Sequence, residues 1–246
     1  DVRRKAVQAY YASISFMDAQ VGHVISALDR LGLADSTVVV FTSDHGYHMG
    51  EHGLYQKQSL FENAARVPLL VVAPGVAGAG TVVRTPVSPV DLCRTPPELA
   101  GIAPPAHVQG QSLVPILKDP SAAGRGWAVT QVMRGGAGRV AASTAAKQVT
   151  VPKKKTAPKS FFGYSLRTAR FRYTEWDEGR EGRELYDHDA DPGELVNLAD
   201  KPEHAQTVAA LSAQLKDAVR TTFPADGKTP EVKETLWSPL IKDAPR

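Results

Sequence analysis

The chain has 246 residues, of which 42% are hydrophobic and 22% are charged, and its net charge is +3. This composition is ordinary for a globular protein, and the charge is too small and too dispersed to predict a nucleic-acid partner. The single cysteine excludes an internal disulfide. No apolar run approaches the roughly 18 residues that a membrane-spanning helix needs. No secretory signal opens the chain. It begins abruptly in a helical pattern, so we expect a fragment whose cellular location and oligomeric state the sequence leaves open.

Helices and strands alternate in the first part of the chain. Apolar residues recur at helical spacing over residues 2–31, and Gly32 is placed to end that helix. The continuous β-branched and aromatic run at 37–42 is typical of a strand buried on both faces, as in a parallel sheet. A short helix over 60–65 and a second apolar strand over 68–73 follow. This alternation predicts an α/β domain.

A helix is predicted over residues 88–101, although Pro96 and Pro97 interrupt it. Cys93 lies among apolar residues there, so we predict a small buried thiol rather than a nucleophile. Residues 145–160 are rich in Lys, Thr and Pro and predict an exposed loop. Its lysines could attract a sulfated or carboxylated glycan, but a solvated loop is the preferred interpretation.

The C-terminal part predicts a small α+β unit. Residues 164–176 and 184–187 predict strands on either side of a turn, and 203–220 predicts an amphipathic helix. We therefore expect two domains, at residues 1–120 and 121–246.

Acidic and imidazole side chains follow the first predicted strand directly. Asp44 offers a carboxylate and His45 an imidazole, and open α/β sheets bind ligands beyond the carboxyl ends of their strands. Carboxylates favour calcium or magnesium, whereas imidazole favours zinc, manganese or iron. An ordinary turn with a surface histidine is the alternative. Gly46, Gly50 and Gly53 favour a site, because they let the backbone approach a ligand closely.

Four more polar residues lie near this turn. His48 or His52 could donate a proton to a leaving group, although each could equally be an exposed loop histidine. Lys57 could hold an anionic oxygen and offset charge in a transition state. Lys57 and Arg66 could also be ordinary surface cations.

The run over residues 41–62 resembles the central motif of sulfatases, in its iduronate-2-sulfatase-like form. It contains Asp44-His45-Gly46, Gly50-Glu51-His52-Gly53 and Lys57, and Arg66-Val67-Pro68-Leu69 continues the similarity. Weaker matches in the same order reach Asp191-Pro192 and Asn197-Leu198. The resemblance covers most of the chain, with residues 147–159 as the main unmatched part.

This resemblance implies an α/β fold, as part of an alkaline-phosphatase-like sandwich domain followed by a small α+β domain with an antiparallel sheet. It implies hydrolysis of a sulfate ester on a sulfated small molecule or glycan. A divalent cation, most often calcium, would be held by Asp44 and His45. Lys57 would bind the sulfate and take part in catalysis. We add His48 and His52 as catalytic candidates and Arg66 as a substrate-binding candidate.

The nucleophile motif of sulfatases is absent from these residues. That motif is a Cys or Ser followed by x-Pro-x-Arg, and it is converted to formylglycine; here Cys93 is followed by Arg94-Thr95-Pro96-Pro97. The two prolines also put the local helix packing in doubt. We expect the nucleophile and the remaining metal ligands in a missing N-terminal part, which makes the isolated chain inactive. A phosphatase or phosphonate hydrolase of the same superfamily and a non-catalytic anionic-glycan-binding module are the alternatives.

Overall fold

The computed structural model describes residues 1–105, 108–134 and 160–222, together with the backbone of 232–233 and 240–241. The predicted loop at 145–160, apart from Ser160, lies outside the described residues, and so do its lysines. None of the described helices combines the length and the apolarity that crossing a bilayer requires.

The chain begins with one long helix, α1 (Val2–Arg30). It ends as predicted, because Gly32 adopts a left-handed φ of 67°. The Gly32 N–H donates to the carbonyl of Asp29 at 3.1 Å, and the Leu33 N–H donates to the carbonyl of Leu28 at 2.9 Å. This pair of bonds is the Schellman pattern, which satisfies the last carbonyl groups of a helix.

Two short strands, β1 (Val39–Thr42) and β4 (Leu69–Val72), form a pair. The segment between them contains a small hairpin of β2 (His48–Met49) and β3 (Tyr55–Gln56), followed by the four-residue helix α2 (Glu62–Ala65). The predicted strands and the short helix are therefore confirmed in position.

The prediction that β1 lies in a parallel sheet with both faces covered is wrong for the described chain. β1 and β4 run antiparallel, with Thr42 opposite Leu69. β1 is only half-buried, and Leu70 and Val72 of β4 are 56% and 61% exposed. A continuous apolar run reflects hydrophobic surroundings, but the direction of the neighbouring strand depends on the route of the connecting segment.

The helix predicted over 88–101 is two short pieces, a 3-10 turn at Pro89–Cys93 and the helix α3 (Thr95–Leu99). The prolines at 96 and 97 fall in the first turn of α3, where no N–H partner is required, so they do not disturb the packing. Cys93 is exposed, not buried as predicted. It ends the 3-10 turn instead of lying inside a helix. Another short helix, α4 (Val114–Lys118), follows.

The C-terminal part is built on a four-stranded antiparallel sheet with neighbouring strands in chain order. Its strands are β5 (Trp127–Arg134), β6 (Phe161–Thr168), β7 (Phe171–Trp176) and β8 (Gly182–Asp187). The segment predicted as one strand over 164–176 is thus parts of two strands, joined by a tight turn. β5 has no counterpart among the predicted elements.

The helix α5 (Ala205–Arg220) packs against this sheet. It contributes its predicted apolar face to a buried core shared with the inward side chains of the strands; the core includes Leu166, Tyr173, Leu185, Val208, Leu211 and Leu215. The predicted α+β unit is confirmed. A final two-stranded pair, β9 (Val232–Lys233) and β10 (Leu240–Ile241), lies beyond it.

Candidate metal and anion site

The turn after β1 presents the predicted acid and imidazole side by side. The hydroxyl of Ser43 donates to the carbonyl of His45 at 2.9 Å and bends the chain. The side chain of Asp44 is 82% exposed, and that of His45 is 31% exposed. Both groups are therefore accessible to a ligand at the end of the strand.

The hydrogen bonds of His45 define its tautomer. Its Nδ1 lies 2.7 Å from the carbonyl oxygen of Gly46, which can only accept, so Nδ1 carries the proton. Its Nε2 lies 2.6 Å from Nζ of Lys57, and an ammonium can only donate. The Nε2 lone pair therefore points to Lys57, and a backbone carbonyl orients the ring as is usual for metal-binding histidines.

The donor atoms of Asp44 and His45 fit a cation. Oδ2 of Asp44 lies 3.4 Å from Nε2 of His45. Neighbouring ligands of one ion, each at about 2.0–2.6 Å from it, are spaced about this far apart. One lone pair cannot serve two partners, so a cation at His45 would displace Lys57. Lys57 would then be free beside the cation.

The glycine at 46 serves the approach of α2 and not that of a ligand. Its N–H donates to the carbonyl of Ala64 at 2.8 Å. A β-carbon at this position would overlap the carbonyl oxygen of Asn63. Gly50 and Gly53 have left-handed φ angles of 114° and 70° and form turns. The glycine-rich sequence is thus explained by close backbone packing and by turns.

His48 is the first residue of β2, and its side chain is buried. It is 1% exposed, and its Nε2 lies 2.6 Å from the hydroxyl of Ser59. Burial lowers the pKa of His48, and the nearby ring of His52 lowers it further, so the ring is neutral at physiological pH. A general-acid role would require this ring to become accessible.

The rings of His48, His52 and Phe61 contact one another and form a small aromatic cluster. The ring of His52 stacks on Phe61 with centroids 3.8 Å apart and an interplanar angle of 2°. Among the described residues, neither His48 nor His52 forms a hydrogen bond with Asp44, His45 or Lys57. The structure thus brings Asp44, His45 and Lys57 together, and it holds the two other histidines in a separate cluster.

The guanidinium of Arg66 is exposed and lies near Glu62. Its side chain is 77% exposed, and Nη1 lies 3.9 Å from Oε1 of Glu62, one helical turn earlier. Its role in substrate binding stays a prediction.

A second polar cluster was missed by the sequence analysis. Glu62, His188 and Glu194 offer ligand atoms within 4.8 Å of one another, close enough for one ion. Arg172 forms ion pairs with both carboxylates, and Arg167 also contacts Glu62. Two guanidinium groups already balance two carboxylates, so this cluster is better described as an ion-pair network than as a metal site. Its members are up to 132 positions apart, and no local pattern connects them.

The fold described above is also found in known proteins. Solved structures of sulfatases and phosphonate hydrolases, with the alkaline-phosphatase-like α/β fold, share this architecture. The predicted fold class is confirmed. The family model described as Sulfatase matches residues 1–102, and homologous sulfatases match along most of the chain. These findings support the sulfatase family for this chain, and that family implies a divalent metal.

Two curated relatives illustrate the match. An N-acetylglucosamine-6-O-sulfatase of Bacteroides thetaiotaomicron is 28% identical over 227 residues, which are 92% of this chain and 37% of the relative. The iduronate 2-sulfatase of Mus musculus is 56% identical, but only over 75 residues, which are 30% of this chain and 14% of the relative. The iduronate-like resemblance is thus strong and local.

Two solved structures superimpose on most of the chain. One is a protein in complex with its substrate, D-glucosamine-2-N,6-O-disulfate, with a TM-score of 0.66 at 28% identity. The match covers 83% of this chain and 38% of the solved chain. The other is a phosphonate monoester hydrolase from Silicibacter pomeroyi, with a TM-score of 0.66 at 27% identity. The match covers 92% of this chain and 42% of the hydrolase chain. The curated relatives that match most of the chain are themselves matched over only 34–37% of their length.

Proposed function

We propose that this chain supplies the metal-binding and sulfate-binding wall of a sulfatase, a hydrolase of sulfate esters. The observation that carries the proposal is the convergence of three side chains at the end of β1. Asp44 and His45 offer two donor atoms 3.4 Å apart, and Nζ of Lys57 lies 2.6 Å from one of them. Two anion-attracting elements, a cation and an ammonium group, would therefore meet at one exposed turn.

Each residue has a separate task in this proposal. A divalent cation bound at this turn would supply Lewis-acid polarisation of the ester. Asp44 and His45 would hold it, and the Gly46 carbonyl orients the His45 ring. Lys57 offsets the negative charge that develops on the sulfate oxygens. We propose calcium as the cation, because a carboxylate-containing site that takes further oxygen ligands suits it.

The finer assignments are also proposals. The 56% identity to an iduronate 2-sulfatase over 75 residues supports an iduronate-like branch. The relatives that act on or bind sulfated glucosamines support a sulfated glycan as the substrate. We keep His48 and His52 as catalytic candidates, Arg66 as a substrate contact, and a domain boundary near residue 120. The nucleophile would come from polypeptide beyond these 246 residues.

The proposal is tested by aryl sulfate hydrolysis. With calcium, the isolated chain is expected to give no turnover of p-nitrophenyl sulfate, because it contains no Cys or Ser followed by x-Pro-x-Arg. The complete polypeptide that carries such a motif is expected to hydrolyse it. Robust turnover by the isolated chain would contradict the assignment of the nucleophile to another segment.

A phosphonate or phosphate ester hydrolase is the second candidate. It is supported by the structural match to a phosphonate monoester hydrolase over 92% of this chain. A cation and a lysine suit both types of ester, which have similar shape and charge. The complete polypeptide is expected to favour p-nitrophenyl sulfate over the matching phosphate and phosphonate esters. The opposite preference would select the second candidate.

Calcium binding provides a test that does not require turnover. Substitution of Asp44→Asn is expected to weaken calcium binding at least tenfold, because it removes the charged ligand. In the unsubstituted chain, calcium should shift the ¹⁵N resonance of Nε2 of His45, whose lone pair leaves Lys57 for the ion. Asp35→Asn, a change of an exposed acid in the 3-10 turn Ala34–Ser36, is the matched control. Equal affinities for both variants would exclude Asp44 as a ligand.

A further inference from the structure

The carboxylate of Glu194 lies in the middle of the buried ion-pair network described above. Glu194 is 2% exposed, and its backbone adopts a left-handed φ of 55°, which is uncommon for a residue with a side chain. The carboxylate of Asp191 accepts from the N–H groups of Leu195 and Val196 and holds this turn. The turn therefore directs Glu194 inwards, and such a strained conformation at a polar centre suggests a role.

Both oxygens of Glu194 have specific partners. Oε1 accepts from Nε of Arg172 at 2.5 Å and from Nε2 of His188 at 2.8 Å. His188 must donate there, because its Nδ1 accepts from Arg167. Oε2 accepts from the backbone N–H of Glu62 at 2.7 Å. Burial acts to raise the pKa of Glu194, but the hydrogen bond from His188 and the charge of Arg172 outweigh it and lower the pKa overall. The group is an ionised carboxylate with all of these donors satisfied.

This network attaches α2 to the C-terminal sheet. Glu194 binds the first N–H group of α2, and Arg172 and Arg167 bind the side chain of Glu62 in the same turn. A helix of four residues has no stability of its own, since helix nucleation is unfavourable. The position of α2 therefore depends on these long-range contacts.

The other end of α2 contacts the candidate metal site. The carbonyl of Ala64 accepts from the N–H of Gly46, and the carbonyl of Gly46 accepts from Nδ1–H of His45. A continuous series of hydrogen bonds thus connects Glu194, α2, Gly46 and the ring of His45. It joins the C-terminal sheet to the strand-end turn.

We propose that Glu194 is a positioning residue for the metal and anion site: through α2 it fixes the peptide of Gly46 and hence the orientation of the His45 ring. This inference rests on the proposed function, since it concerns the same site. Glu194 touches no substrate and acts only through α2 and Gly46. Outer partners of metal-binding histidines commonly change metal affinity or activity by about 10–100-fold when they are removed.

The test compares the Glu194→Asp variant with the unsubstituted chain and with a control variant. Aspartate keeps the charge and tolerates a left-handed φ better than glutamate does, so the variant is expected to fold. Its side chain is one methylene shorter and cannot reach Arg172 and the Glu62 N–H together. Glu194→Gln, which presents an amide to several donors, is the stronger variant. Glu203→Gln, at an exposed acid in the 3-10 turn Pro202–His204, is the matched control.

Amide hydrogen exchange separates positioning from general stability. In Glu194→Asp, the Gly46 amide is expected to exchange about tenfold faster, while the amide of Leu215 in α5 stays near its unsubstituted rate. Calcium affinity is expected to fall about tenfold, and the Nδ1–H resonance of His45 should shift. Glu203→Gln should change none of these. If Glu194→Gln does not fold, Glu194→Asp decides the question.

Two outcomes would overturn the inference. One is unchanged Gly46 exchange, His45 resonance and calcium affinity in folded Glu194→Asp. The other is a uniform increase of exchange at Gly46 and Leu215, which would indicate a purely structural role. None of these measurements needs turnover. Absence of sulfatase activity in the complete polypeptide would therefore overturn the proposed function without deciding this inference.

Discussion

Substitution of Lys57→Ala is expected to lower the turnover of aryl sulfate by the complete polypeptide about 10²–10³-fold. Loss of one group that stabilises developing negative charge typically has an effect of this size. Nζ of Lys57 is the cationic atom next to the donor pair, 2.6 Å from Nε2 of His45. Lys57→Arg should recover only part of the rate, because a planar guanidinium does not reproduce a compact point charge. Steady-state kinetics on p-nitrophenyl sulfate measure both variants.

Calcium affinity distinguishes this role of Lys57 from a role in holding the ion. Removal of the ammonium group frees the Nε2 lone pair of His45, so Lys57→Ala should bind calcium at least as tightly as the unsubstituted chain. Lys216→Ala, at an exposed position of α5, is the control and should leave both rate and affinity unchanged. A rate for Lys57→Ala within twofold of the unsubstituted enzyme would exclude Lys57 from the reaction.

The second large effect is expected on stability, from Gly46→Ala. The new β-carbon would overlap the backbone carbonyl oxygen of Asn63, and no rotation of a side chain can relieve a collision with backbone. We expect the free energy of unfolding to fall by about 3 kcal/mol, the upper end for overpacked positions. For a chain of this size, that corresponds to a fall in Tm of about 6–12 °C. Thermal denaturation followed by circular dichroism measures it.

Gly22→Ala provides the matched control, because nothing lies within 4 Å of its β-carbon position. Gly22 lies inside α1, where alanine is favoured over glycine by about 1 kcal/mol. The same chemical change should thus stabilise the chain at position 22 and destabilise it at position 46. A Tm of Gly46→Ala within 1 °C of the unsubstituted chain would show that α2 can move away from the turn.

The elements that were predicted correctly are those with a complete local signal. The helix α1 has a long apolar period and a glycine at the required end position, and both features depend only on neighbours in the chain. The helix predicted over 88–101 lacked such a signal, because its two prolines contradict a continuous helix. Its prolines are compatible with a helix only in a first turn, which is where the structure begins α3.

The grouping of Asp44, His45 and Lys57 was predicted from the motif that resembles sulfatases, and the structure brings the three side chains together. The difference between His45 and His48 had no signal in the sequence. Both follow the same strand within a few residues, but only the packing of the hairpin makes His48 a buried ring bound to Ser59.

The sequence by itself determined the helices α1 and α5, the positions of β1 and β4, the strand-end position of Asp44 and His45, and the presence of Lys57 shortly after them. These features follow from local periodicity, turn chemistry and a short motif. Only the tertiary structure decided the antiparallel pairing of β1 with β4, the burial of His48 and the ion-pair network around Glu194. Each of these depends on the route by which distant segments meet, and a local pattern of residue types does not encode that route.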